Sequence, residues 1–283
     1  MAQKRKWVII TLIIAVIAVF VLVDWNVLVH HKVVEVKGPE VEKEIQRSPS
    51  PVLKTESREA HEVMTKEVTS TRPPYANMTS NVIRNEVMRF FSTLDGRQYI
   101  KAYGLTQGTY KYFQEMLARL KARPPVITGE TRDMYTLMHN MAYFYRVLGK
   151  KDISMVKDIM EKEHGSIEKV MALFYEWEQR QERKSPTEMM LSPEDLYRYA
   201  CFFISTLSGR AYISRRDTLV GTLVKYYSVL LISKADKNKR NHYGVNIRPV
   251  IPMLINEIKA RGDLAYRDYY LASLRSIERQ YTN

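Results

Sequence analysis

An eleven-residue stretch occurs twice in this chain, and that duplication narrows the available architectures more than any other feature. Phe90–Ile100 reads Phe-Phe-Ser-Thr-Leu-Asp-Gly-Arg-Gln-Tyr-Ile. It returns as Phe203–Ile213, Phe-Ile-Ser-Thr-Leu-Ser-Gly-Arg-Ala-Tyr-Ile, identical at eight of eleven positions. The offset of 113 residues holds without a gap beyond this core: Gly108-Thr109 falls on Gly221-Thr222, Leu117 on Leu230, Lys121-Ala122 on Lys234-Ala235, and Gly149 on Gly262. Where identity fades, the apolar phase persists. Met134, Leu137, Met138, Met141 and Tyr145 align with Ile247, Val250, Ile251, Leu254 and Ile258. Both series run i, i+3, i+4, i+7, i+11, the spacing of one buried helix face. The expected unit covers Thr79–Gly149 and Ser192–Gly262, each followed by further helix.

Within the unit, Val82, Ile83, Val87, Phe90 and Phe91 form a stripe leading into Leu94. Gly96 then stands where a helix would end in a left-handed conformation. Arg97 and Arg210 follow, where exposed carbonyls favour a cation. Ser92-Thr93 and Ser205-Thr206 are placed to bond back into the last turn. A paired guanidinium site for an anionic partner is the alternative reading of the two arginines.

Helical segments are predicted near Ser80–Leu94, Gln107–Leu120, Arg132–Leu148, Ile153–Glu163 and Ser166–Gln181, with breaks at Gly96, Gly104, Pro124-Pro125, Gly149 and Gly165. The second copy gives Pro193–Leu207, Thr218–Ser233, Asn246–Ala260 and Leu264–Arg279. No alternating strand pattern of useful length appears, so the fold class is all-α.

The N-terminal third is different in kind. Lys4, Arg5 and Lys6 precede Trp7–Val23, seventeen residues without a charge. At about 1.5 Å per residue they span roughly 25 Å, the short end of a bilayer crossing. No Ala-x-Ala cleavage site follows, so an uncleaved single transmembrane helix is expected. The flanking cations place the N-terminus in the cytoplasm. Residues 30–78, with five prolines and interleaved Glu and Lys, read as a flexible linker of roughly 35–40 Å r.m.s. span. The expected organisation is therefore a tip and anchor at 1–29, a linker at 30–78, and helical copies at 79–183 and 184–283. The chain would be a single-pass inner-membrane protein with its C-terminal domain outside.

Charge is concentrated in the helical part. Residues 79–283 hold 33 Lys/Arg against 22 Asp/Glu, whereas residues 1–78 hold 11 against 9. A folded part of net charge +11 points to an acidic surface or polymer as partner. The loop Lys234–Asn246 carries much of this density, with Lys237, Lys239 and Arg240 close together.

Catalytic and cofactor signatures are missing. The chain has no phosphate-binding glycine loop, nucleophile elbow, calcium loop or Cys-x-x-Cys, and no cofactor or metal site is predicted. His30-His31 carries at most an adventitious metal. The sole cysteine, Cys201, sits in an apolar run and reads as a core residue. The expected function is a membrane-anchored, extracytoplasmic binding or assembly scaffold for a protein or anionic polymer, with the bilayer itself contacted through residues 7–23. One alternative is an envelope enzyme acting on an anionic polymer such as cell-wall glycan, with Glu86, Asp95 or Glu115 as its carboxylates. The other is a cytoplasm-facing basic domain for nucleic acid or acidic lipid, of which nucleic acid is disfavoured. Self-association is left open.

Overall fold

A computed structural model describes residues 71–128, 133–181, 191–208 and 218–282. Among these residues ten helices follow in order: α1 (Ser80–Gly96), α2 (Gln98–Lys101), α3 (Gly108–Ala122), α4 (Met134–Leu148), α5 (Lys150–Lys162), α6 (His164–Gln181), α7 (Pro193–Leu207), α8 (Leu219–Lys237), α9 (Val250–Lys259) and α10 (Arg267–Thr282). There is no strand among the described residues.

The expected fold class needs one correction. No helix among the described residues is long and apolar enough to cross a membrane. The architecture on view is an all-α body without a membrane-spanning element. The predicted anchor at 7–23 and most of the linker lie outside the described residues. The linker's last residues belong to the body. Tyr75 is buried and shares a hydroxyl–hydroxyl hydrogen bond of 3.0 Å with Tyr269. The Met78 carbonyl accepts from the Arg180 guanidinium.

Equivalent helices begin alike. Thr79 and Ser192, 113 positions apart, each cap the first helix of a unit through their hydroxyls. At Ser192 the Asp195 carboxylate returns the bond, completing a capping box. α7 and α1 then diverge in what they bury. α1 buries one stripe, Ile83, Val87, Phe91 and Leu94, and Val82, expected on that stripe, is 44% exposed. α7 is buried on every side from Leu196 to Leu207 except at Arg198. α8 is likewise buried almost all round from Leu219 to Ala235 and packs on α6, α7 and α9, as an all-round apolar helix must. The second copy is the inner one.

The two copies share one continuous core. Phe144 of α4 stacks on Phe203 at 6.2 Å and meets Phe202 edge-on at 5.8 Å. Tyr143 and Tyr199 join hydroxyls at 2.8 Å, and Tyr199 also donates to the Leu120 carbonyl at 3.0 Å. Asn140 reaches Thr206 at 3.2 Å. A second aromatic cluster, Tyr75, Tyr175, Tyr226, Tyr227, Tyr269 and Tyr270, ties the incoming chain, α6, α8 and α10 together.

Three local predictions are revised. Gly96 is the last residue of α1 and its φ is not positive; Arg97, in extended backbone, ends the helix. Positive φ is found instead at other glycines, among them Gly104 (φ +62°) and Gly149 (φ +87°), the latter hinging α4 into α5. The break before α6 falls at Glu163, not Gly165. On α4 the buried face turns toward Asn140, Tyr143 and Phe144, leaving Tyr145 36% exposed.

Burial leaves a signature in titration. Desolvation raises the phenols of Tyr75, Tyr199 and Tyr270 far above the usual range and brings Tyr143 to about 12. Unfolded phenols lose their protons near pH 10 while these keep theirs, so unfolding releases protons and stability falls as pH rises past 10. Alkaline titration followed by tyrosinate absorbance should show these phenols ionising in one step together with loss of helical circular dichroism. Gradual ionisation of all 19 tyrosines with the helices intact would contradict this packing.

Candidate partner-binding site

Most charged groups in the interior are already engaged in the fold. Arg97 lays its guanidinium fork on Glu163, at 2.8 Å to Oε1 and 2.9 Å to Oε2, and Tyr99 donates to the same carboxylate at 2.9 Å. Hydrogen bonding to Glu163 raises the Arg97 pKa. Arg97 thus clamps the α1–α2 corner to the α5–α6 corner. Arg210 lies outside the described residues. Glu163 lies beyond the repeated stretch, which ends at Gly149, so the repeat supplies no counterpart of this carboxylate for Arg210.

The carboxylates considered for catalysis are placed separately. Asp95 accepts from the Thr109 backbone and hydroxyl, both at 2.7 Å, and so caps α3. Glu86 is paired with Arg89 at 2.9 Å and Lys169 at 3.1 Å. Glu115 accepts from Gln107 at 3.5 Å. Each unit also holds a further pair around a buried carboxylate. In the first, Asp152 of α5 holds Tyr112 at 2.5 Å and Arg119 of α3. In the second, Glu257 of α9 holds Thr222 at 2.5 Å and Lys225 of α8. Glu168 of α6 accepts the Ala265 and Tyr266 backbone N–H groups at 2.8 and 3.0 Å, ahead of α10; burial raises its pKa, with the two N–H groups pulling the other way. Cys201 is fully buried, and desolvation pushes its thiol up to about 12, as for a core residue.

Lys237, Lys239 and Arg240 are different: all three are exposed. α8 runs past its expected end at Ser233 to Lys237 and closes with two bonds, Lys239 N–H to the Asp236 carbonyl at 2.9 Å and Arg240 N–H to the Ala235 carbonyl at 2.8 Å. This is the Schellman pattern, whose left-handed position normally holds glycine. Here Lys239 occupies it at φ +55°. Left-handed backbone costs an ordinary L-residue about 1–2 kcal/mol.

The loop beyond is tied down from several directions. Asn241 donates to Asp236 at 2.7 Å and to the Val245 carbonyl at 3.1 Å, and accepts from the Tyr197 hydroxyl at 2.5 Å. Tyr243 N–H returns to that hydroxyl at 3.1 Å, and Arg198 donates to the Tyr243 hydroxyl at 2.7 Å. Tyr281 of α10 donates to Asp236, and Arg248 stands over the Tyr281 ring at 5.5 Å. Sequence reasoning found the cations but not their supports. The supports come from two distant helices, α7 and α10, and from the end of α8 itself, and only the Asn241–Gly244 turn (Gly244 φ +63°) carried a local signal.

Beside this loop, α6, α7 and the end of α8 enclose a cleft of about 260 Å³. Arg240 and Lys234 line it with Glu178 and Glu194. Among the described residues no group of three His, Cys, Asp or Glu side chains could hold a metal ion.

Comparison with known protein families, with characterised proteins and with solved structures returns no match for this chain.

The buried pair in the second unit offers a direct check on packing. Lys225→Met takes the ammonium away from the buried Glu257 and should cost about 3–5 kcal/mol in urea unfolding. The double variant Lys225→Met/Glu257→Met should lose less than the single one, because no buried carboxylate then remains. A double variant worse than the single would mean that the pair contributes net stability.

Proposed function

We propose that this chain is a helical binding or assembly module whose contact with an anionic partner is made by Lys237, Lys239 and Arg240. The observation that carries this reading is Lys239. A glycine in its place would relieve the backbone, yet a lysine is held there between two other exposed cations on a well-anchored loop. Strained positions cluster where function requires them. Fixing the cations in advance reduces the side-chain and loop ordering that binding must otherwise impose.

The partner class is a protein segment or polymer bearing repeated carboxylates or other anions. Exposed cations act through a field screened within about 8 Å at physiological salt. Binding is therefore salt-dependent and rests on several charges at once. Nothing in the arrangement of Glu86, Asp95 and Glu115 favours the glycan-cleaving reading.

The full chain should bind fluorescent polyglutamate with an affinity that falls steeply with salt. Lys237→Gln/Lys239→Gln/Arg240→Gln should weaken it by roughly tenfold or more. Lys239→Gly separates function from fold: it should raise stability by about 1 kcal/mol while weakening binding. Unchanged binding in the triple variant would end this reading. Tighter binding to duplex DNA or acidic-lipid vesicles than to polyglutamate would move it to the cytoplasm-facing alternative.

The location is a separate proposal that the sequence of residues 1–29 supports: attachment to a membrane through 7–23, with the helical body on the outer side. In a Cys201→Ala background, a cysteine introduced at Ser50 should react with an impermeant thiol reagent in cells whose inner membrane is intact. Reaction only after lysis would reverse the topology.

A further inference from the structure

We propose that His242 and Glu194 form a proton-operated charge gate on the cationic loop, strengthening its hold on an anionic partner as the pH falls from about 8 to about 6. This inference rests on the loop reading above and adds the regulation of the same surface. Glu194 Oε1 of α7 lies 3.1 Å from His242 Nε2. On the other side of the ring, Nδ1 lies 3.1 Å from the Arg240 carbonyl oxygen, which also accepts the His242 backbone N–H at 2.9 Å. Both ring nitrogens therefore face oxygen acceptors. A neutral imidazole has one N–H and can serve one of them; the imidazolium has two and serves both. The surroundings thus suit the charged ring, and imidazole is the side chain that gains its charge between about pH 5 and 8.

The neighbouring charges are engaged elsewhere. On α7, Asp195 is closed into the Ser192 capping box, and Arg198 donates to the Tyr243 hydroxyl at 2.7 Å. At the end of α8, Asp236 is held by Asn241 and Tyr281. The rings of Tyr197 and Tyr243 flank the imidazole at 5.2 and 4.3 Å, an aromatic setting that favours a cation. Glu194 also lines the cleft together with Arg240, so its charge stands beside one of the three cations that meet the partner. While His242 is neutral, Glu194 is uncompensated and repels an anion arriving at Lys237, Lys239 and Arg240. A proton on His242 cancels that charge. The two side chains are 52% and 48% exposed, so solvent screening holds the effect to a few-fold change rather than an all-or-none one.

Fluorescence anisotropy of labelled polyglutamate with the full chain, at fixed ionic strength and at about pH 8 and about pH 6, tests the gate; polyglutamate stays ionised across this range. The unaltered chain should bind roughly threefold more tightly at the lower pH. His242→Gln should bind at the weaker level at both pH values, because Glu194 then stays uncompensated. Glu194→Gln/His242→Gln should bind at the stronger level at both, because no carboxylate is left to compensate. Melting curves should show both variants folded. Equal affinity of the unaltered chain at the two pH values, or a His242→Gln variant that tightens as much as the unaltered chain, would overturn the gate while leaving the loop reading in place. Absence of salt-sensitive polyglutamate binding in every form and at both pH values would end the loop reading, and the gate with it.

Discussion

The near-complete burial of α8 from Leu219 to Ala235 is the constraint from which the arrangement follows. A helix buried on almost every side cannot sit at the edge of a bundle, so other helices must surround it. α7 lies along it, α9 and α6 cover further sides, and the first copy is thereby pushed to the periphery. That placement accounts for the substitutions separating the copies. Glu86 becomes Tyr199, and Arg89 becomes Phe202. On α1 the first pairs with solvent-side cations and the second is exposed; on α7 both positions bury aromatic rings against α4. Tyr199 and Phe202, in which the copies differ, thus join Phe203 and Thr206, which they share, in the contact between them.

Polar groups in this core fall into two populations. Carboxylates at helix corners are anchored by cations, phenols or backbone N–H groups from a distant element: Glu163 by Arg97 and Tyr99, Asp152 by Arg119 and Tyr112, Glu168 by the turn before α10. Such anchors fix how helices meet rather than adding much net stability, since desolvation offsets most of the Coulomb gain. The cations of the α8 end are of the other kind. The bonds there run from loop backbone and Asn241 to the protein, leaving Lys237, Lys239 and Arg240 exposed. Positive charge is therefore displayed where the supporting loop is most firmly held.

The sequence made the helices and their spacing legible because both depend on local chemistry: Thr79 and Ser192 cap, and Ile167, Val170, Met171, Phe174 and Trp177 bury one face of α6 as their period requires. Partners across the fold were not legible. Arg97 looked like an exposed cation at a helix end, and only the return of Glu163, 66 positions away, shows it as a clamp. Gly96 looked like a left-handed stop, but the extended Arg97 that makes this clamp ends the helix instead. Tyr145 shared a period with its neighbours and yet turned outward, because Tyr143 and Phe144 found better partners in Tyr199 and Phe203. The cleft left no trace in sequence, since its lining comes from three helices.

α10 links the two ends of this design. Its Tyr269 receives Tyr75 where the N-terminal chain joins the body, and its Tyr281 holds Asp236 beneath the cationic loop. Twelve residues of helix separate these contacts, a rise of about 18 Å. Tyr269 and Tyr281 lie on one connected scaffold, so the cationic loop is fixed at a set distance from Tyr75. The second copy is the one suited to carry this loop. Its α7 and α8 are packed on almost every side, so a strained lysine at the end of α8 can be tolerated there, whereas α3 in the first copy buries one face only.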